Sequence, residues 1–478
     1  MVALTSIFVM TGILFGCSSA PKEPNSPTDI PNEFSASGTR KAPDRWWTAF
    51  DDERLSSLVD QALKSNFNLK TAWSRLREAR SIVDRESSRL YPDLDGLAQG
   101  EISGGDSGVD ERLRLGLTSE YEVDLWGRIE SRVEAERYRA RATLEDYRTA
   151  ALSLSAEVVR TWYQLVEAHN QYDLLTDQIE TNQKVLSLLK TRFGSGQIRR
   201  ADILRQEQLL ESTREQRLAT ESRMQVLEHQ LAVLLGKPPP EEVRYTNRDL
   251  PDLPPLPETG LPASLVRRRP DVVSAFHELR AADSDLAAAI SNQYPRLTFT
   301  ASLSTTESDA SNLFDEWARS FAGELVAPLL DAGQREAEVD RTRAIRMQRL
   351  YEYGQTILTA FREVEDALIQ EKKQLQRIRS LEEQVRLAKE TYERLKYEYF
   401  NGAGDYIDVL AALTDEQRLR RDLLSARLAL LEFRIALYRA LAGGFKTSRE
   451  AEDNGASARG CRNLMPTAHE FSITGKTG

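Results

Sequence analysis

Between Pro92 and Pro238 the chain contains no proline, and from Ile129 onward its apolar residues fall three or four positions apart. Leu144, Tyr147, Ala151, Leu154, Val158, Trp162 and Leu165 keep to one stripe, the spacing of a coiled-coil-like helix seam. A helix from 129 to 192 would be about 96 Å long at 1.5 Å per residue. A rod of that length cannot lie inside a globule. Composition agrees, since charged residues make up 29 % of the chain and the mean hydropathy is −0.49. Both favour long solvated helices over a compact α/β enzyme.

The rod occurs twice. At an offset of 206 positions, Gly127 meets Gly333, Leu144 meets Leu350, Tyr147 meets Tyr353, Glu157-Val158 meets Glu363-Val364, Gly196 meets Gly402 and Asp202 meets Asp408. Tyr91-Pro92 returns 203 positions later as Tyr294-Pro295. Fixed-offset similarity of this kind marks a repeated structural unit. The chain therefore reads as two tandem repeats, residues 55–236 and 263–445, joined by the proline-rich linker 237–262, which excludes helix and favours an extended path. Each repeat holds a helix (55–90; 264–291) ended by Tyr-Pro, two short alternating segments, a very long helix (129–192; 334–399), a glycine-containing tip, and a second helix (200–235; 406–441).

In the alternating segments, Leu113, Leu115, Leu117, Tyr121 and Val123 share one parity, and Arg112, Arg114, Thr118, Glu120, Glu122 and Asp124 the other. Leu297, Phe299, Ala301 and Leu303 alternate in the same way with Thr298, Thr300, Ser302 and Ser304. Segments 94–103 and 317–327 complete two hairpins, with polar loops at 103–111 and 305–316. A membrane-spanning strand has this length and alternation, but so does a soluble sheet with one face on a core. Strand count separates the two. Four strands in lipid leave two unpaired edges, and single-chain barrels begin at about eight strands, so a membrane reading requires several chains. Three would give twelve strands. The stretch "YEVDLWGR" then marks the exit from the bilayer: Gly127 permits the bend, Asp124 caps the helix, and Trp126 suits either the interface or a packed turn.

Residues 1–16 are an apolar run too short to span comfortably, and read as a signal peptide. Cys17, after "LFG", is either the lipidated start of a linker (17–54) or an ordinary thiol. With Cys461 as the only other cysteine, no disulfide framework exists. A net charge of −10 without a dominant basic cluster excludes a nucleic-acid partner. "RRRPD" (267–271) reads as a solvated charge run. His169, His229 and His277 lie on charged helices at no metal-ligand spacing, and neither a nucleophile motif nor a phosphate loop is present, so no enzyme, metal or cofactor is expected. The tail 446–478 is polar and aperiodic, and is expected to be disordered.

The motifs "WWTAFDDERLSSLVDQAL", "YEVDLWGR", "RRRPDVVSAFHELRAADSDLAAA" with "YPRLTF", "APLLDAGQR" and "NGAGDYIDVL" with "LYRALAGGF" occur in one order over residues 45–445. In these the chain resembles TolC-type outer-membrane efflux proteins of the lipoprotein branch. The resemblance implies a mainly α, mixed fold: a homotrimer with a long periplasmic α-helical barrel and a membrane β-barrel taking four strands from each chain. It also implies passive conduction, docking to a periplasmic adaptor and an inner-membrane pump, a lipid on Cys17 in a Gram-negative outer membrane, and sorting there because no aspartate follows that cysteine. On this reading Asp405, Asp408 and Tyr399 belong to a periplasmic gate, while Gly194, Gly196, Arg199, Arg200, Asp202, Gly402 and Gly404 form adaptor-contacting tips. Asp408 matches a position that lines the closed aperture. The second acid common three residues later is replaced by Ala411. From the residues alone, Asp202 and Asp408 equally suit plain helix starts, and the runner-up reading of the whole chain is a soluble periplasmic coiled-coil scaffold or adaptor lipoprotein.

Overall fold

The computed structural model describes residues 29–105, 108–239, 249–308 and 310–453. The fold is mainly helical. Helix α1 (Glu53–Ser65) begins where the Asp52 carboxylate accepts the Leu55 N–H at 3.0 Å. Asn66 then ends it and caps α2 (Phe67–Ser88), accepting the Leu69 N–H at 3.1 Å. The single helix expected over 55–90 is thus two, because an asparagine side chain competes with the helical ladder. The second half breaks at the corresponding place: α5 (Pro262–Arg268) and α6 (Pro270–Ser291) flank Arg269, held extended by the proline after it. The long helices are α3 (Arg128–Gly194) and α7 (Gln334–Phe400), returning as α4 (Arg200–Leu234) and α8 (Tyr406–Leu441).

Strands β1 (Asp95–Gly105), β2 (Gly108–Val123), β3 (Arg296–Glu307) and β4 (Ala318–Val326) form one antiparallel sheet in that order. Pairing runs so far that Gly105 faces Gly108, and most of the loop expected at 103–111 is strand. The register sorts the faces. Val123, Leu297 and Leu325 lie in one row, as do Leu117, Leu303 and Arg319, while Glu122, Thr298 and Glu324 share a row of the opposite face. Phe299 stacks on Phe321 at 5.6 Å on the apolar face, and the Ser302 and Ser320 hydroxyls meet at 2.7 Å on the polar one. Among the described residues no helix layers against either face, and β4 is exposed along its whole length.

Both sheet-to-helix junctions turn on a left-handed glycine, Gly127 (φ 70°) and Gly333 (φ 84°). The Asp124 carboxylate accepts the Glu130 N–H at 2.7 Å, and Asp331 accepts the Gly333 N–H at 3.1 Å. Trp126 is half-exposed rather than packed in a core, with its Nε1–H donating to the Pro295 carbonyl at 2.8 Å.

The main core lies at the middle of the rods. Trp46 and Trp47, carried by a short 3-10 turn (Trp46–Phe50), are fully buried with Trp162 and Tyr163. Trp46 stacks on Tyr438 at 5.7 Å, and Trp162 donates to Asp52 at 3.0 Å. The N-terminal segment is stapled to the linker, the Gly38 N–H donating to the Pro257 carbonyl at 3.0 Å. Buried Arg434 pairs with Glu371 at 2.6 Å and donates to the Pro255 carbonyl at 2.9 Å, fixing the linker over α8.

Two expectations are corrected here. Arg269 of "RRRPD" is buried, not solvated: it pairs with Asp271 at 2.8 Å and with Glu363 at 2.6 Å, because the helix break points it at α7. Residues 446–453 are ordered, with a helical segment at 448–453. Thr447 bonds the Tyr147 hydroxyl at 2.8 Å, Glu450 pairs with Arg148 at 3.0 Å, and Asp453 pairs with Arg80. Periodicity misses this segment because side-chain bonds hold it. Cys17 and Cys461 lie outside the described residues.

Candidate functional site: the helical tips and the open sheet

The α3–α4 turn reverses at Gly196 (φ 73°) and the α7–α8 turn at Gly402 (φ 75°). Gly194 and Gly404 have ordinary φ, so only two of the four tip glycines are required by backbone conformation. Asp202 is buried at the start of α4. Its carboxylate accepts the Arg199 N–H at 3.3 Å and pairs with Arg205 at 3.4 Å. That makes it a helix-start residue, while Arg199 and Arg200 stay exposed. Asp408, at the matching position of α8, does not follow it: Asp405 and Asp408 are both exposed, and neither has an ion-pair partner among the described residues. The two sequence-equivalent aspartates thus have different work available to them. One closes a turn, and the other presents free charge beside Asp405.

Tyr399 sits at the contact between the two tips. Its ring packs on Tyr406 at 5.6 Å, and Arg192, in the last turn of α3, lies over Tyr399 at 4.9 Å and Phe400 at 5.5 Å. Arg192 also donates from Nε to Gln197 at 3.0 Å, and so ties its own turn to the ring pair. Tyr406 is buried and donates to Gln206 at 2.6 Å, and Gln206 donates onward to the Asn182 carbonyl at 3.0 Å. Burial pushes both the Tyr399 and the Tyr406 phenols above their ordinary range, so both stay neutral. Sequence reading singled out Tyr399 but not Arg192, whose only signal is an arginine within two residues of a tip glycine. The described residues contain no cluster suited to a metal ion.

The rods carry at one end a sheet with sorted faces and open edges, and at the other paired tips with free carboxylates. This is the construction of a channel-forming conduit subunit. A family model described as "Outer membrane efflux protein" matches residues 58–237 and 261–443, and the chain belongs to that family of outer-membrane proteins. It is 29 % identical to the cation efflux system protein CusC of Escherichia coli O6:H1 over 460 residues, covering 92 % of this chain and 98 % of that protein. It is 28 % identical to the pyoverdine export outer membrane protein OpmQ of Pseudomonas aeruginosa, covering 92 % and 96 %. The solved outer-membrane channel OprN matches with a TM-score of 0.83 at 28 % identity, covering 88 % of this chain and 98 % of that one.

Proposed function

We propose that three copies of this chain close into one outer-membrane channel of an efflux system, which conducts passively what an inner-membrane pump and a periplasmic adaptor deliver. The observation that carries this is the sheet: four strands, one apolar and one polar face, two open edges and, among the described residues, no covering layer. Twelve strands from three chains satisfy both edges and enclose a polar lumen. The long helices descend as a periplasmic cylinder, and the tips form its gate, with Arg192 clamped between Tyr399 and Phe400 and with Asp405 and Asp408 ringing the entrance. The remaining tip residues, Gly194, Gly196, Arg199, Arg200, Gly402 and Gly404, meet the adaptor. Cys17 carries the lipid that anchors the N-terminal segment in the outer membrane. A soluble scaffold would need something against the apolar face of the sheet, and no layer of the described chain lies there. Relatives of nearly equal identity are named for cations and for pyoverdine, which fits a conduit whose cargo is chosen by its pump. The test is purification in detergent followed by planar-bilayer recording: a closed oligomer with ohmic conductance is expected, and a monomer soluble without detergent would overturn the proposal.

A further inference from the structure

The two sheet-to-helix junctions resemble each other, but only one is seated within the chain. After β2, Trp126 leans on the Tyr-Pro step that precedes β3. Trp126 stacks on Tyr294 at 4.9 Å, donates to the Pro295 carbonyl at 2.8 Å, and accepts at its own carbonyl from the Ser291 hydroxyl at 2.8 Å. Trp126 and Tyr294 are each 46 % exposed. After β4, Leu329 and Leu330 stand immediately before the capping Asp331, at the positions that the offset of 206 pairs with Val123 and Asp124, and are each 94 % exposed. They are not on a loose loop: the Asp331 carboxylate caps Gly333 at 3.1 Å and pairs with Arg335 at 2.8 Å, and Arg335 donates to the Asn292 carbonyl at 3.1 Å. Ala332 is held at φ 52°, a left-handed conformation costly for alanine. A braced turn thus displays two leucines that the described residues leave uncovered.

The matching seat is also present and empty. Tyr91-Pro92, before β1, corresponds to Tyr294-Pro295, and Ser88 corresponds to Ser291. Tyr91 is 71 % exposed, and the Ser88 hydroxyl turns back to the Arg85 carbonyl of its own helix at 2.8 Å. Knob and seat lie at the open β4 and β1 edges, at the helix end of the sheet. We infer that the Leu329-Leu330 turn of one copy packs on Tyr91-Pro92 of a second copy, covering from another chain a Tyr-Pro step whose counterpart, Tyr294-Pro295, is covered by Trp126 of its own. The occupant is another copy because the two features lie at opposite open edges of one antiparallel sheet: closing β4 of one chain on β1 of the next sets the end of β4 beside the start of β1. This rests on the closed-oligomer reading above and goes beyond it by naming the joint.

The test uses the full lipoprotein with Cys461→Ser, carrying Tyr91→Cys and Leu330→Cys together, treated with a short bismaleimide and run on a denaturing gel, with the oligomer mass measured separately in mild detergent. Linked dimers and trimers are expected from the double variant and not from either single one. The pair Trp126→Cys with Tyr294→Cys should link only within a chain. A monomer in detergent would sink the closed-oligomer reading itself. A closed oligomer in which the Tyr91 and Leu330 positions never link would overturn the inference alone, as would quenching of a fluorophore at position 330 by brominated lipid, which would show the turn facing the membrane. The pair Leu329→Ser with Leu330→Ser gives a second readout: loss of the oligomer in SDS at a temperature where the parent survives. Equal survival counts against the joint.

Discussion

Replacing Arg192 by alanine should loosen the coupling between the two tips of each chain. The guanidinium lies 4.9 Å from the Tyr399 ring centre and 5.5 Å from that of Phe400, which makes it the charged link from α3 to the end of α7. A cation–π contact stabilises by about 0.5–1 kcal/mol when exposed and about 2 kcal/mol when desolvated. Two such contacts at a half-buried tip therefore amount to about 1–3 kcal/mol. The Arg192–Gln197 hydrogen bond adds nothing to this coupling, because it acts within the α3–α4 turn and not between tips. As a coupling free energy, about 1–3 kcal/mol is roughly 5- to 150-fold per chain in the balance between joined and separated tips. Single-channel recording in planar bilayers should show longer open dwells for Arg192→Ala. Arg192→Lys, which keeps the charge but not the flat face, should fall between. Arg214→Ala serves as control, since Arg214 makes only an exposed pair with Glu211 at 2.6 Å. If Arg192→Ala gates like the parent, or no differently from Arg214→Ala, the clamp reasoning is wrong.

Asp405→Ala with Asp408→Ala should raise single-channel conductance by removing unpaired charge at the entrance, and an unchanged conductance would remove both from the gate. Leu115→Asp, on the apolar face of β2, should abolish recovery of heat-labile oligomer from outer membranes, whereas Thr300→Asp, on the polar face of β3, should leave recovery intact; equal behaviour would mean that the faces are not lipid and lumen. Arg434→Met strands the buried Glu371 carboxylate and should cost about 3–5 kcal/mol, while Arg434→Met with Glu371→Leu should recover most of it, read as unfolding midpoints in detergent. Burial and nearby Arg141 hold the His277 imidazole below its ordinary value, so on acidification the unfolded chain takes up the proton first. Stability is then full above the usual histidine range near about 6.5 and declines as pH falls through it, and His277→Gln should flatten that decline.

The rods and the four strands were legible because each is a periodicity carried by many residues. Gly127 and Asp124 were legible as well, since a turn and a cap use the residue at the turn. The helix breaks were not: Asn66 interrupts its helix through one side-chain bond, and Arg269 is buried through partners 2 and 94 positions away. At the tips, sequence gave Asp202 and Asp408 one description. The structure separates them because Arg199 and Arg205 stand around the first and no counterparts stand around the second. Arg192 illustrates the general limit: an arginine beside a tip has no sequence mark that says which ring it will cover.

Alignment of the tips is set far from them. Within each hairpin the long helices meet through leucine and isoleucine, as with Ile179, Leu186, Ile203 and Leu210 in one and Ile378, Leu381, Leu419 and Leu430 in the other. Between the hairpins, α3 and α8 share the main apolar core and also meet through amides. Gln164 donates to Glu432 at 2.6 Å, Gln171 to the Arg421 carbonyl at 2.9 Å, and Gln178 to the Gln417 carbonyl at 3.1 Å, while Gln417 donates to Asn182 at 3.0 Å. The three glutamines are seven residues apart. An apolar heptad seam tolerates a slip of one repeat, about 10 Å at 1.5 Å per residue, whereas buried polar groups at seam positions favour one register at some cost in stability. A slip of that size would carry Arg192 past both Tyr399 and Phe400. The seam between hairpins is therefore where register matters most, because the joint it must align lies two turns of helix or more beyond its last amide.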